Sequence, residues 1–199
     1  MDIRTAVTRR SFLNATEMKD LAATGYSIRS ARAENIPALP AIELVAAQLL
    51  RGHAPESVLA EITDERTFAD AVRDGRLWVA SKGNTTVGFA LVKMLADDLP
   101  HLEEIDVDPA HGRRGLGTAL VKAVREWATD SGYAWLTLTT LRAVPWNFPF
   151  YERMGFIEIP RETLRPELAA VVSEEAHRGL DPHTRAVMGY RCVPTAIRK

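Results

Sequence analysis

The 199-residue chain has the length of one domain and buries roughly 70% of its unfolded surface, so it needs no disulfide or metal to hold a core. Its 46% apolar and 26% charged residues are ordinary for a globular protein, and 25 Lys plus Arg against 26 Asp plus Glu leave a formal net charge of -1. That balance argues against a polybasic nucleic-acid or membrane clamp, and the single cysteine, Cys192, rules out an internal disulfide or a cysteine-based zinc cluster.

No apolar run approaches the roughly 20 residues of a membrane span. Arg4, Arg9 and Arg10 have no apolar stretch behind them, and Asp2, Glu17 and Asp20 count against an organellar transit sequence. The expected location is cytoplasmic, with neither membrane nor nucleic acid as partner.

Residues 1–24 read as a loosely attached leader, helical from Ser11 to Ala23, ahead of a domain over 25–199. Tyr26 to Arg32 alternates apolar and polar residues and predicts the first strand. Pro37 to Leu50 sets Ile42, Val45, Ala46 and Leu49 on one helical face, stopped by Gly52, and a second helix covers Glu56 to Asp74. Arg76–Ser81 and Thr86–Leu95 flank Lys82-Gly83-Asn84 as a hairpin, and His101–Val107 is a further strand stopped by Asp108-Pro109. Gly117 to Thr129 turns Leu120, Val121, Val124, Trp127 and Ala128 to one side of a helix, and Ala134–Thr140 is a β-branched central strand. A short helix over Phe148–Met154 takes Asn147 as N-cap and Gly155 as C-cap. The last strands are Phe156–Ile159 and Arg185–Val193, with a helix over Arg165–Arg178 between them. The expectation is one mixed α/β (α+β) domain.

The most informative stretch is Val107-Asp-Pro-Ala-His-Gly-Arg-Arg-Gly-Leu-Gly-Thr118. A strand ends, glycines at 112, 115 and 117 follow, and an amphipathic helix begins at once. Backbone N–H groups at a helix N-terminus favour a phosphate or pyrophosphate, and Arg113 and Arg114 add cationic donors. A nucleoside-triphosphate loop would need Lys before Thr118, and a dinucleotide fingerprint from Gly115 would need Gly or Ala in place of Leu120.

Gly112-Arg-Arg-Gly-Leu-Gly117 after Val-x-Pro resembles the pyrophosphate loop of the GNAT N-acetyltransferases, and Asn147-Phe-Pro-Phe-Tyr-Glu-Arg-Met-Gly-Phe156 resembles that family's Asn…Tyr-x-x-x-Gly-Phe segment. The resemblance runs from about Tyr26 to Phe156. It departs at Gly112, where the family carries Arg or Gln, and in a shorter Asn-to-Tyr interval. It implies the GNAT acyl-CoA N-acyltransferase fold, a mixed, largely antiparallel sheet flanked by helices that splays beside the loop.

The resemblance also implies acetyl-CoA as donor, no metal, and direct transfer to an amine. Gly112, Arg113, Arg114, Gly115, Leu116, Gly117 and Thr118 would then hold the pyrophosphate, with Asn147 beside them, and the main chain of Ile105 and Val107 the pantetheine arm and thioester. Tyr151 matches the family's general acid. His101 and Glu103 fall where serotonin and polyamine acetyltransferases carry base residues, and strict alternation sets both opposite Glu104 and Asp106. A bulge would bring in Glu104 instead.

An acidic strand suits a small cationic primary amine as acceptor, and no peptide-binding signature is visible. Two readings of other classes stand beside it: a non-catalytic acyl-CoA sensor or interaction module on the same fold, and an NAD-dependent oxidoreductase. Residues 160–199 supply a helix and the last strand, to close the acceptor site or to form a homodimer interface.

Overall fold

In the computed structural model, which describes residues 21–193, seven strands make one sheet in the order β1-β2-β3-β4-β5-β7-β6. They are β1 (Tyr26–Ser30), β2 (Leu77–Lys82), β3 (Thr85–Ala96), β4 (Leu99–Val107), β5 (Trp135–Leu141), β6 (Ile157–Glu158) and β7 (Arg185–Arg191). Every pairing is antiparallel except β4 with β5, which is parallel and limited to His101–Thr137 and Leu102–Leu138. The expected leader helix lies outside the described residues but for its last turn, where 21–23 are helical.

Helices cover both faces. On one, α4 (Leu116–Asp130) buries Leu116, Leu120, Val121, Val124 and Ala128 against Trp78, Ala90, Val92, Leu102 and Leu138. The short α5 (Phe148–Arg153) and Phe156 extend that layer. On the other face, α1 (Leu39–Ala47) and α3 (Glu65–Arg73) pack Leu39, Ile42 and Phe68 on Leu77, Phe89 and Leu91. There α6 (Pro166–His177) lays Leu168 on Leu99 and Val187.

Three expectations need correcting. The buried stripe of α1 is Leu39, Ile42, Glu43 and Ala46, whereas Val45 and Leu49 are 44% and 52% exposed. The stripe follows i, i+3, i+4, i+7 from Leu39, and it selects a carboxylate that a count of apolar residues passes over. The single helix expected over Glu56–Asp74 is two, α2 (Glu56–Leu59) and α3, because Asp64 caps Arg66 N at 2.7 Å and Thr63 turns aside to donate to Glu43. The expected strand Phe156–Ile159 shortens to Ile157 and Glu158 against β7, with Ile159 N adding one bond to Val187 O. The sheet also gives the dinucleotide reading no parallel βαβ unit of its usual kind ahead of the loop, since β1 to β4 form an antiparallel meander.

Candidate active site

β4 and β5 part after Leu102 and Leu138, so among the described residues no strand pairs with 103–107 on that side. Asp108 N donates to Val87 O at 2.9 Å, and the register pairs Asp106 with Phe89 and Glu104 with Leu91. By alternation the peptide groups of 104, 106 and 108 face β3, and those of Ile105 and Val107 face the gap. The meander is tight here: a Cβ on Gly88 would sit 2.7 Å from Asp106 O.

The glycine loop closes one end of the gap. Asp108 accepts from Ala110 N, and Pro109–His111 make a 3-10 turn. Tyr26 Oη then meets His111 Nδ1 at 2.9 Å, tying the turn to β1. Arg113 adopts φ 59 and Gly115 φ 80, the latter as N-cap of α4. A non-glycine residue in the left-handed region costs on the order of 1 kcal/mol, and such turns aim successive N–H groups at one point. The first turn of α4 adds its own free N–H groups, and among the described residues nothing beyond its immediate chain neighbours lies within 4 Å of a Cβ built on Gly115. The cradle therefore has both the donors and the room for a pyrophosphate.

Past Leu102, β4 carries a bulge: Leu102 pairs with Val92 and Glu104 with Leu91, leaving Glu103 as the extra residue. Strict alternation consequently fails. Glu104 and Asp106, expected opposite His101 and Glu103, lie on the same face as Leu91 and face α1. The four acidic or imidazole side chains of β4 share the wall of one cavity of about 1440 Å³ that runs from the loop through the gap.

Burial dominates the electrostatics of this wall. It pushes Asp106 up to about 8, aided by the neighbouring Glu43, and raises Glu104, which also feels Asp106, Glu43 and Glu103. Glu103 is raised by burial and opposed by Lys93, whose Nζ is 4.0 Å away. His101 is buried and pushed down to about 4. Its Nδ1 lies 2.9 Å from Thr137 Oγ1, which donates to Pro100 O, so the imidazole is neutral with its proton on Nδ1. Tyr151, packed edge-on against Phe150 and Phe156, is held protonated by burial and by Asp106 and Glu104.

The cavity brings together nearly all the residues singled out from the sequence. Ile105, Val107, Gly112, Arg113, Gly115, Leu116, Gly117 and Thr118 line one end, with Asn147 and Tyr151 beside them, and His101 and Glu103 the other. Arg114 lies outside the wall, its guanidinium 6.0 Å from the centre of the Tyr26 ring. Asn147 stands at the N-cap of α5 but its side chain makes no capping bond. Sequence reasoning missed Glu43, whose carboxylate accepts Thr63 N and Oγ1, and the buried cluster in which Arg185 and Thr139 both bond Glu175. A carboxylate in the buried stripe of α1 was the one available signal for the first.

A family model described as the acetyltransferase (GNAT) family matches residues 44–156. Streptothricin acetyltransferase of Streptomyces lavendulae is 28% identical over 150 residues, covering 73% of this chain and 71% of that protein. N-acetyltransferase 8 of Homo sapiens is 28% identical over 129 residues, 61% of this chain, and the match spans only 56% of its length. The crystal structure of PaiA N-acetyltransferase from Thermoplasma acidophilum in complex with coenzyme A superposes with a TM-score of 0.64 at 15% identity, covering 83% of this chain and 98% of that one, which shows the shared fold. Matched over more than half its length, the chain belongs to the GNAT family of acetyltransferases.

Proposed function

We propose that this acyltransferase moves the acetyl group of acetyl-CoA directly onto the primary amine of a small cationic molecule. The observation that carries the reading is the continuity of one cavity from the glycine loop, through the gap in the sheet, to an acidic wall. Acetyl-CoA supplies the activated thioester. The loop's N–H groups and Arg113 bind its pyrophosphate, while the gap-facing peptide groups of Ile105 and Val107 hold the pantetheine arm and polarise the carbonyl. A β4 side chain accepts the ammonium proton; His101 and Glu103 are the candidates by resemblance, though a neutral imidazole titrating near 4 is a weak base. Tyr151, kept protonated, donates to the departing sulfur. The name of the streptothricin relative also favours a small acceptor over a protein.

The test is CoA release from acetyl-CoA across a panel of aliphatic amines and peptides. Release is expected with amines that are cationic at neutral pH. Tyr151→Phe lowers turnover by on the order of 100-fold with little change in acetyl-CoA affinity. Acetyl-CoA binding without release on any amine would favour the sensor reading instead, and unchanged turnover in Tyr151→Phe would remove the acid assignment.

A further inference from the structure

Three carboxylates converge on the acceptor side of the gap from two elements. Glu43 comes from α1, and Glu104 and Asp106 come from β4 past its bulge. Thr63 fixes the first, with its N 2.9 Å from Oε2 and its Oγ1 2.9 Å from Oε1. The nearby cations are engaged elsewhere: Arg178 with Glu61, Arg185 with Glu175, and Lys93 beside Glu103. Asp106 Oδ2 is buried with no hydrogen-bond partner among the described residues, a costly state for a carboxylate oxygen.

We propose that Glu43, Glu104 and Asp106 form the subsite for the acceptor's ammonium group, and that Asp106 is the base that takes its proton. The inference rests on the transferase reading and sharpens it. An ammonium group has three N–H donors, and three carboxyl groups that form no salt bridge with a cation among the described residues offer acceptors to match. One ammonium proton passes to Asp106. The freed lone pair forms the C–N bond as the C–S bond breaks, the sulfur takes the proton of Tyr151, and the phenolate recovers one from the new amide nitrogen.

The charged groups around Asp106 fix the direction of the pH effect. Glu43 faces it from α1, Glu103 and Glu104 flank it on β4, Glu61 lies behind Glu43, and Tyr151 faces it from α5. Arg178, the C-cap of α6, acts on Glu43 and Glu104, and Arg185 of β7 acts on Tyr151. Without ligand, burial first and the charge of Glu43 second keep a proton on Asp106 near neutrality. An arriving ammonium replaces that proton, so acceptor binding strengthens as pH rises. Glu43 acts here as a positioning residue as well, because its charge adds to burial in raising Asp106.

The test is a carbon-13 NMR titration of the full chain labelled in its Asp and Glu carboxyls, with and without n-butylamine. Asp106 is identified by the resonance missing in Asp106→Asn. Saturating butylamine should lower the Asp106 midpoint by about one pH unit or more. Glu43→Gln should lower the midpoint of the free protein and weaken butylamine binding about tenfold, with Glu104→Gln as the second variant if Glu43→Gln does not fold. A midpoint that butylamine leaves in place, or unaltered binding in the carboxamide variant, overturns the subsite. Because this readout needs no turnover, a subsite that binds butylamine while CoA release fails with every amine overturns the transferase reading alone.

Discussion

Asp106 and His101 sit five residues apart on one strand, and burial works against the charged form of each, with opposite consequences for stability. His101 titrates near 4 in the fold against an ordinary 6.5, so the unfolded chain binds more protons between those values and stability rises with pH across that window. Asp106 titrates near 8 against an ordinary 3.8, so the folded chain binds more protons over that range and stability falls as pH climbs toward 8. Above about 6.5 only the acidic contribution persists of the two. Asp106→Asn should therefore flatten the decline of the urea midpoint between pH 6.5 and 8 and stabilise the protein at pH 8 by roughly 1–3 kcal/mol, while acetylation is lost. Equal slopes in the two proteins would show that Asp106 ionises freely in the fold. Asp106, proposed above as the base, did not stand out in the sequence for a related reason. His101 and Glu103 stood out by their types and places, but which carboxylate is buried without a partner depends on Glu43, about 60 positions away.

The elements themselves were largely legible. The glycine loop, the helix behind it and the Tyr151 segment are local patterns, and local patterns write themselves into short stretches of sequence. The bulge at Glu103 is not local. His-Leu-Glu-Glu-Ile-Asp contains no glycine or proline to mark it, and it exists only as a mismatch of register with β3. The same holds for the helix break near Thr63, which is imposed by Glu43 on another helix. The parting of β4 from β5 makes a residue-by-residue prediction for amide exchange. Glu104 and Asp106 N–H groups face β3 and should exchange slowly, whereas those of Ile105 and Val107 face the gap and should exchange quickly in the free protein. Acetyl-CoA should slow Ile105 and Val107 selectively. Uniform protection along β4 before ligand addition would mean that the gap is closed in solution.

At the scale of the whole molecule, the sheet is two units joined by little direct pairing. One unit is β1 to β4 with α1 and α3 and the other is β5 to β7, while α4 and α6 pack across both. Only two residue pairs connect β4 to β5, and the buried Glu175–Arg185–Thr139 cluster braces the second unit internally. A ligand whose pyrophosphate sits on the loop and whose arm runs along Ile105 and Val107 fills the opening between the units, so it binds the folded chain and not the unfolded one. At 100 times its dissociation constant such a ligand contributes about 2.7 kcal/mol, which raises the melting temperature of a chain this size by about 5–10 °C. Gly115→Val should abolish that rise. Because φ at Gly115 is +80°, valine there is strained on its own account and lowers the ligand-free melting point, so the quantity to compare is the ligand-induced shift in each protein. NADH and ATP share the phosphates but lack the pantetheine arm, and they should produce a smaller shift than acetyl-CoA. Equal shifts from all three would mean that the loop alone holds the ligand and that Ile105 and Val107 contribute nothing to binding.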